Sequence, residues 1–471
     1  MSASLIPHAL LIFFVVVSAG FQAALLVTAA VGMRRHRRTA WAEQTQRLLA
    51  SGVAPSVSVL APAFNESATV AASVRSLLTL RYPQLEVVVI NDGSTDDTLD
   101  VLRREFDLRR VHPSQPGSLE ARTIRGLYRS ELHRGLVVVD KANGGKADSL
   151  NAGLNVATGE LFCAVDADTV IEPDALLRII RPFLADDRTV ATGATIRVVN
   201  GSGVKDGRVV DPRIPRRTLP GIQTVEYIRS FLFGRLGWNS LGGNLIVSGA
   251  FGMFRRGEVM AAGGYGTDTV GEDMELVVRL RRHGYRTGGP SRVTFVPDPI
   301  AWTQVPETLR DLGNQRDRWQ RGLAGTVARH APVTLNPRYR AMGLVAMPYF
   351  ASIELLGPVI EAFGVAGLLL AVSVGSANGA YAGTLLLLYY GWGVILSVGS
   401  ILLYQWLSED PYPTRDLPRL LGYALVENLG YRQLTVLWRL RGTLRYLRGS
   451  SEWAPAQRAG FERPESRPAP S

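Results

Sequence analysis

The clearest indication of chemistry in this sequence is a pair of carboxylates at a spacing that suits metal binding. Asp166 and Asp168 directly follow a short apolar run. Residues two apart on an extended chain point to the same side, so both carboxylates could face one hard cation such as Mg²⁺ or Mn²⁺. Asp-x-Asp is also common on protein surfaces. The position after an apolar run favours a metal site here.

A second acidic motif, Gly271-Glu272-Asp273, opens a segment with helical periodicity. Acidic residues in the first turn of a helix often do no more than complement the helix dipole. The same position also favours an ionised carboxylate, and an ionised carboxylate that faces a pocket can accept a proton from an incoming hydroxyl group. Asp273 is therefore the candidate general base.

Two further motifs offer groups for a nucleotide. Asp92 lies in the run Asn-Asp-Gly-Ser after an apolar stretch, where it is either a turn or capping residue or a contact to a base or ribose. Lys146 follows two glycines, but the run lacks the glycine and the Ser or Thr of a P-loop. Lysine occurs only at Lys141, Lys146 and Lys205. Lys146, beside backbone N–H groups at a helix start, is therefore the candidate cation for a diphosphate.

An arginine-rich run with one tryptophan extends from Gln315 to Gly322 and contains the pattern Gln-x-x-Arg-Trp. As an ordinary helix face, its arginines would be solvated charge. Trp319 argues for binding, since an indole offers a sugar a flat apolar face. Arg318 can hold a diphosphate through two parallel hydrogen bonds. This run is the candidate site for phosphate and sugar contacts.

These motifs need a scaffold that brings them together, and the sequence between residues 55 and 290 predicts an α/β domain with a largely parallel sheet. Chemistry in such sheets gathers at the carboxyl ends of the strands, which is where the motifs fall. The segments 107–134 and 198–220 contain no motif that we can interpret. Predicted strands cover residues 57–61, 85–90, 137–139 and 161–165, and predicted helices cover residues 67–80, 96–104 and 148–157.

Long apolar segments flank this domain. Residues 5–33 contain no Asp, Glu, Lys or Arg, and about 20 apolar residues suffice to cross a bilayer. Basic residues follow this segment, which predicts an uncleaved anchor and a cytoplasmic catalytic domain. Residues 342–374 and 380–407 predict a membrane hairpin.

The predicted organisation is an anchor with its basic flank at 1–38, a linker at 39–54, the catalytic domain at 55–335, the membrane hairpin at 336–412, an amphipathic segment on the membrane surface at 413–453 and a disordered tail at 454–471.

The net charge of +11 would suggest nucleic acid in a soluble protein. Because many of the bases flank apolar segments, a lipid bilayer with anionic headgroups accounts for them, and we expect no nucleic-acid partner. The single cysteine, Cys163, excludes an intramolecular disulfide and lies in an apolar run, which is typical of a buried residue.

In order and spacing, the motifs resemble those of the membrane-bound family 2 glycosyltransferases, which include synthases of hyaluronan, chitin oligosaccharide, poly-N-acetylglucosamine and cellulose. The resemblance covers residues 57–322 and implies a nucleotide-sugar-binding domain of the GT-A type with flanking transmembrane helices. It implies that Mg²⁺ or Mn²⁺ is held by Asp168 and Asp166. It further implies that Asp273 is the base, that Asp92, Lys146, Asp166 and Arg318 contact a UDP-sugar, and that Ser248, Gly249, Ala250, Phe251, Gln315 and Trp319 contact a carbohydrate acceptor.

The resemblance implies inverting transfer of a sugar from a UDP-sugar to a growing β-linked polysaccharide or oligosaccharide at the cell membrane. The lysine-glycine motif is most similar to the branch that uses N-acetylglucosamine. Single transfer to a lipid carrier is an alternative, and an inactive nucleotide-binding membrane scaffold is an alternative of another class. A transporter is disfavoured because three crossings leave little material for a substrate path. Three crossings also leave room for a partner subunit or a homo-oligomer.

Overall fold

A computed structural model describes residues 5–38, 54–112, 117–166, 169–205, 207–375 and 377–449. Three sequence predictions lie outside these residues: the linker apart from Ala54, the metal ligand Asp168 and the tail. The chain forms two compact units. The sheet unit contains the described parts of Thr39–Arg213 and Leu245–Val305, and the helical unit contains those of Met1–Arg38, Ile214–Asn244 and Pro306–Ala456.

All the strands among the described residues belong to the sheet unit. They are β1 (Val57–Ala63), β2 (Leu85–Asn91), β3 (Leu108–Val111), β4 (Ile124–Ser130), β5 (Leu136–Lys141), β6 (Leu161–Val165), β7 (Thr169–Ile171), β8 (Thr189–Val198), β9 (Gly203–Lys205), β10 (Arg208–Asp211), β11 (Phe251–Arg255) and β12 (Arg292–Thr303).

One ten-stranded sheet has the order β3-β4-β5-β2-β1-β6-β11-β8-β12-β7. Its centre, β5-β2-β1-β6, is parallel and confirms the predicted α/β class. Antiparallel strands extend the sheet on both sides, so it is mixed. The segment without an interpretable motif at 107–134 supplies the edge strands β3 and β4. The other such segment, at 198–220, contains the separate hairpin of β9 and β10.

The helices of the sheet unit cover its two faces. They are α2 (Val70–Leu78), α3 (Thr98–Phe106), α4 (Lys146–Val156), α5 (Ala175–Ile179), α6 (Arg181–Ala185), α9 (Arg256–Ala261) and α10 (Glu272–Thr287). The helical unit contains α1 (Leu5–Arg38), α7 (Thr218–Arg229), α8 (Trp238–Leu241), α11 (Leu309–Arg329), α12 (Met347–Tyr349), α13 (Gly357–Ser373), α14 (Gly379–Leu407), α15 (Leu417–Val426) and α16 (Arg432–Leu447). It has π-helical turns at Ser230–Gly237, Met342–Ala346 and Phe350–Leu355, and the backbone is kinked at Leu429 and Gly430, between α15 and α16.

The core of the sheet unit explains why its central strands are continuous apolar runs. Leu60 in β1 and Ile90 in β2 are fully buried, because helices cover both faces of a parallel sheet. Gly153 lets α4 approach these strands closely, since a Cβ atom there would lie 3.0 Å from Ile90 Cδ1 and 3.4 Å from Leu60 Cδ2. The register of β1, β2 and β5 places their carboxyl ends, and the loops that follow, at one edge of the sheet.

The helical unit contains the long apolar helices. Within the part of the chain that the structure describes, two helical segments are long and apolar enough to cross a membrane, Ile12–Arg37 and Gly379–Leu407. The pair Met342–Leu355 and Gly357–Ser373, bent by 42° at a short break, would make a third span. These segments fall where the sequence predicts an anchor and a hairpin. The predicted membrane-surface segment contains α15 and α16, and its location on a membrane stays a prediction.

Candidate active site

A buried lysine joins two carboxylates at the edge of the sheet. Lys141 ends β5 and is completely buried. Its Nζ lies 2.5 Å from Asp92 Oδ1, just after β2, and 2.5 Å from Asp148 Oδ1 in the first turn of α4. Asp148 also accepts a hydrogen bond from the backbone N–H of Arg122. The ammonium group of Lys141 therefore joins the start of α4 to the loop after β2, which is 49 residues earlier than Lys141 in the sequence.

The glycine loop before α4 is folded around Asp92. The backbone N–H groups of Gly144 and Gly145 donate to its carboxylate at 3.0 and 2.8 Å. Gly93 has a φ of +67°, and a Cβ atom there would lie 2.6 Å from Asn143 N, so only glycine lets the two loops come this close. The anion that these N–H groups bind is therefore the carboxylate of Asp92. Contact of Asp92 with a nucleoside stays a prediction.

The loop after β1 joins the same edge, and the sequence analysis assigned it no role. Asn65 has a φ of +54°, and its side-chain oxygen accepts a hydrogen bond from Thr95 N at 2.8 Å. Asp96 accepts hydrogen bonds from Thr98 and from the backbone N–H of Ser67. Although partial burial acts in the opposite direction, these bonds lower the pKa of Asp96 to about 2. An asparagine directly after an apolar strand was the available signal.

Lys146 and Asp166 form the second ionic centre of the sheet unit. Lys146 Nζ lies 2.5 Å from Asp166 Oδ1 and 3.7 Å from Glu272 Oε1, and it donates to the carbonyl oxygen of Gly249 at 3.0 Å. Burial alone would lower the pKa of Lys146, but the charges of Asp166 and Glu272 outweigh it and raise the pKa above its ordinary value. Lys146 is therefore held in its charged form between these carboxylates.

Asp273 lies beside this centre, in the first turn of α10. Its Oδ2 accepts a hydrogen bond from Gly249 N at 3.2 Å, and its Oδ1 accepts one from Met274 N at 2.8 Å. A Cβ atom on Gly249 would lie 3.1 Å from Lys146 Nζ and 3.3 Å from Asp273 Oδ2. The structure thus brings together four predicted site residues, namely Lys146, Asp166, Gly249 and Asp273. Glu272, to which the sequence analysis gave no role, joins them.

The rest of the predicted acceptor segment lies next to Asp166. Ala250 accepts a hydrogen bond from Asp166 N through its carbonyl oxygen, and its own N–H lies 3.4 Å from Ser248 Oγ. Phe251 begins β11 and is fully buried. Its side chain belongs to the core and is therefore not accessible for the predicted contact with an acceptor. The roles of Ser248 and Ala250 stay predictions.

The chemistry of this centre suits a divalent cation. Asp166 is partly exposed and offers carboxylate oxygens, which Mg²⁺ and Mn²⁺ prefer. The ammonium group of Lys146 shows that a cation is accommodated at Asp166. The residues therefore fit a metal ion, and Asp166 is the described ligand candidate, while Asp168 lies outside the described residues.

The Gln-x-x-Arg-Trp segment lies on α11 in the helical unit. One face of α11 is buried and includes Arg316 and Asp317. Gln315 and Arg318 are half-buried on another face, and Trp319 is 44 % exposed. The guanidinium group of Arg316 lies over the Trp319 ring, 4.3 Å from its centroid. Trp319 therefore has a supported ring with an accessible surface, as sugar stacking would require.

Comparison with known proteins agrees with this geometry. Residues 58–257 match the family described as Glycosyl transferase family 2, and residues 161–402, more than half of the chain, match Glycosyl transferase family group 2. The chain is 28 % identical to a poly-beta-1,6-N-acetyl-D-glucosamine synthase of Staphylococcus epidermidis over 297 residues, which are 63 % of this chain and 61 % of the relative. It is 28 % identical to the enzyme of that name from Staphylococcus aureus strain COL over 267 residues, 56 % of this chain and 54 % of the relative.

Among solved structures, the chain is similar to a mannosyltransferase from Pyrobaculum calidifontis in complex with GDP-Man and Mn²⁺. The TM-score is 0.55 at 21 % identity, and the match covers 93 % of this chain and 99 % of that one. At this identity the likeness concerns the fold, and it confirms the predicted GT-A type. The sheet topology and the family matches lead to one conclusion: the chain belongs to the family 2 glycosyltransferases.

Proposed function

We propose that this glycosyltransferase moves N-acetylglucosamine from a UDP-sugar onto a growing β-linked polysaccharide, with inversion at the anomeric carbon and at a membrane surface. The observation that carries the proposal is the cluster of Asp273, Gly249, Lys146 and Asp166 at the carboxyl edge of the sheet. It places a carboxylate that can take a proton next to groups that can hold an anion and a cation.

Asp273 is the proposed base. Each of its oxygens accepts one backbone N–H bond, which fixes the orientation of the carboxylate and leaves further lone pairs for an incoming proton. The acceptor hydroxyl would give its proton to Asp273 while its oxygen bonds to the anomeric carbon. The bond from that carbon to the diphosphate oxygen breaks in the same step, and UDP leaves with the bonding electron pair.

The leaving diphosphate needs positive charge. Lys146 and Arg318 are the proposed contacts of this chain, as an ammonium point charge and as a planar guanidinium group. A Mg²⁺ or Mn²⁺ ion held by Asp166 and Asp168 would supply further stabilisation of the negative charge that develops on UDP. Trp319 is the proposed stacking surface for the acceptor sugar, and Asp92 the proposed nucleoside contact.

One observation supports the choice of donor and product, and another supports the location. The curated relatives that the chain matches are named poly-beta-1,6-N-acetyl-D-glucosamine synthases. The chain spans about three fifths of the length of the first of them. The helices at Ile12–Arg37 and Gly379–Leu407 support a location in a membrane.

The first experiment measures UDP release by the purified protein in lipid nanodiscs. UDP-N-acetylglucosamine and other UDP-sugars are supplied in turn with Mg²⁺ or Mn²⁺. We expect turnover with UDP-N-acetylglucosamine and, for Asp273→Asn, a fall of at least about 100-fold, which is typical for loss of a general base. Asp100→Asn is the matched control, because Asp100 also lies in the first turn of a helix but is largely exposed.

Sizing of the product tests the second half of the proposal. A ladder of chain lengths supports polymer formation, whereas one added sugar on an organic-extractable product would identify single transfer to a lipid carrier. The proposal is contradicted if the folded protein releases no UDP from any donor. It is also contradicted if Asp273→Asn retains the activity of Asp100→Asn.

A further inference from the structure

The two lysines of the Lys-x-x-x-x-Lys motif lie in different surroundings. Lys141 is completely buried between two carboxylates, and its contacts are those of a structural ion pair. The side chain of Lys146 is 31 % exposed, and that of Asp166 is 28 % exposed. The ion pair of Lys146 is thus open to solvent on one side, where an ion could reach it, whereas the ion pairs of Lys141 are closed.

We propose that Lys146 is a built-in counter-ion of Asp166 that competes with a divalent cation for this carboxylate. The proposal rests on the proposed function, in which Asp166 is a metal ligand. It adds a competition between a side chain of the protein and the metal. In this view the affinity for the metal is limited by the cost of breaking an existing ion pair.

The distances set the two cations in competition for Asp166. Lys146 Nζ lies 2.5 Å from Asp166 Oδ1, and Mg²⁺ would lie about 2.1 Å from a carboxylate oxygen that it binds. Both cations on one oxygen would be within about 4 Å of each other, where two like charges repel strongly. Each cation on Asp166 therefore weakens the binding of the other.

The neighbourhood offers Lys146 a place to go. Its ammonium group already donates to Gly249 O at 3.0 Å, and Glu272 Oε1 lies 3.7 Å away. Because a lysine side chain has a flexible stem, a small rotation can exchange Asp166 for Glu272 without loss of the Gly249 contact. Metal binding would thus shift Lys146 toward Glu272 and Asp273 rather than expel it from the site.

The test measures Mn²⁺ binding directly, without a sugar donor. The full-length protein in nanodiscs is titrated with Mn²⁺, and the free ion is quantified by its electron paramagnetic resonance signal. We expect Lys146→Met to bind Mn²⁺ about tenfold more tightly than the wild type, within the usual range of coupling between two binding events. Lys146→Arg keeps the positive charge and should bind Mn²⁺ like the wild type.

Lys205→Met is the matched control, because Lys205 is exposed on β9. An equal gain in affinity for Lys205→Met would show a general charge effect and overturn the proposal. Unchanged or weaker Mn²⁺ binding by Lys146→Met would overturn it too, as would the absence of Mn²⁺ binding in all variants. UDP release is measured separately, so failure of the competition is distinguishable from failure of the proposed function.

Thermal unfolding gives a second readout. Without metal, Lys146→Met leaves Asp166 and Glu272 without this ammonium group, so its Tm should lie below that of Lys146→Arg. Saturating Mn²⁺ should raise the Tm of Lys146→Met more than that of the wild type, since a ligand stabilises the folded state in proportion to its affinity. An equal rise in both proteins would contradict the competition.

Discussion

At the scale of single residues, the stability of the sheet unit depends on the buried ion pairs of Lys141. Lys141 is fully buried, and Asp92 and Asp148 are nearly so. A buried charge is tolerated only when it is paired, and removal of one partner leaves the others without compensation. Asp92 and the glycine loop, both assigned to nucleotide binding by the sequence analysis, depend on this lysine for their positions.

Lys141→Met should therefore lower the free energy of unfolding by about 3 to 5 kcal/mol, the usual cost of breaking a buried pair from one side. Thermal unfolding of the purified protein measures the effect, with Lys205→Met as the control. Neutralising the partners as well, in Lys141→Met with Asp92→Asn and Asp148→Asn, should restore part of the loss. A Tm of Lys141→Met equal to that of the control would contradict the structural role.

Much of the site could be predicted from the sequence, because polar residues directly after apolar strands meet at one edge of a parallel sheet. Asp92 and Asp166 were found in this way. The different surroundings of Lys141 and Lys146 were not predictable. Lys141 is the last residue of β5, and Lys146 begins α4, so the turn between them decides which ammonium group is enclosed. That turn depends on Asp92, from a distant part of the chain.

At the scale of elements, α11 combines two functions on two faces. Its buried face packs along α16. Asp317 on this face pairs with Arg321 of the same helix at 2.9 Å and with Arg441 of α16 at 3.0 Å. Its other face presents Trp319. The arginines of α16 therefore include one that stabilises α11. The helical pattern of the motif does not predict these ion pairs, because the pattern is the same whether a charged side chain is solvated or paired inside the protein.

The two faces can be separated by mutation. Asp317→Asn should lower the free energy of unfolding by about 3 kcal/mol, since it removes the carboxylate that pairs with the buried Arg321. Trp319→Ala should lower the free energy of unfolding by only about 1 kcal/mol, through loss of the contact with Arg316. It should nevertheless lower the rate of sugar transfer about tenfold through loss of stacking.

Unfolding curves and UDP release measured on the same preparations test this separation. Trp319→Phe is the control, because it keeps a flat aromatic face and should retain most of the activity. Full activity of Trp319→Ala would exclude the stacking role of Trp319. An Asp317→Asn protein with the wild-type Tm would show that the ion pairs of α11 contribute little to stability.

At the scale of the whole molecule, the apolar helices were predictable from composition, since a bilayer imposes a minimum length on an apolar segment. The predicted spans agree with Ile12–Arg37 and Gly379–Leu407. The 42° bend between Leu355 and Gly357 was not predicted, although the sequence has Gly357-Pro358 at this point. The compact units also differ in extent from the predicted domains, because residues 214–244 and 306–335 belong to the helical unit.

The orientation of the chain can be tested because its one cysteine is buried. Cys163 is fully buried, and burial raises the pKa of its thiol, so it should not react with a maleimide. We expect Gly379→Cys, between the two predicted hairpin crossings, to be labelled by a membrane-impermeant maleimide on intact cells. Arg415→Cys should be labelled only after permeabilisation. The reverse pattern would contradict a cytoplasmic catalytic domain.

The helical unit is assembled from three separate stretches of sequence, and this has a consequence for biosynthesis. Glu226 in α7 is made long before its partners Arg316 and Tyr431, which lie 90 and 205 residues later. At about 5 to 20 residues per second, a ribosome needs roughly ten seconds or more to reach Tyr431. The described part of the sheet unit ends at Val305, before Arg316 and Tyr431 have been made. The ion pairs of α7 can therefore form only after the described part of the sheet unit has been synthesised.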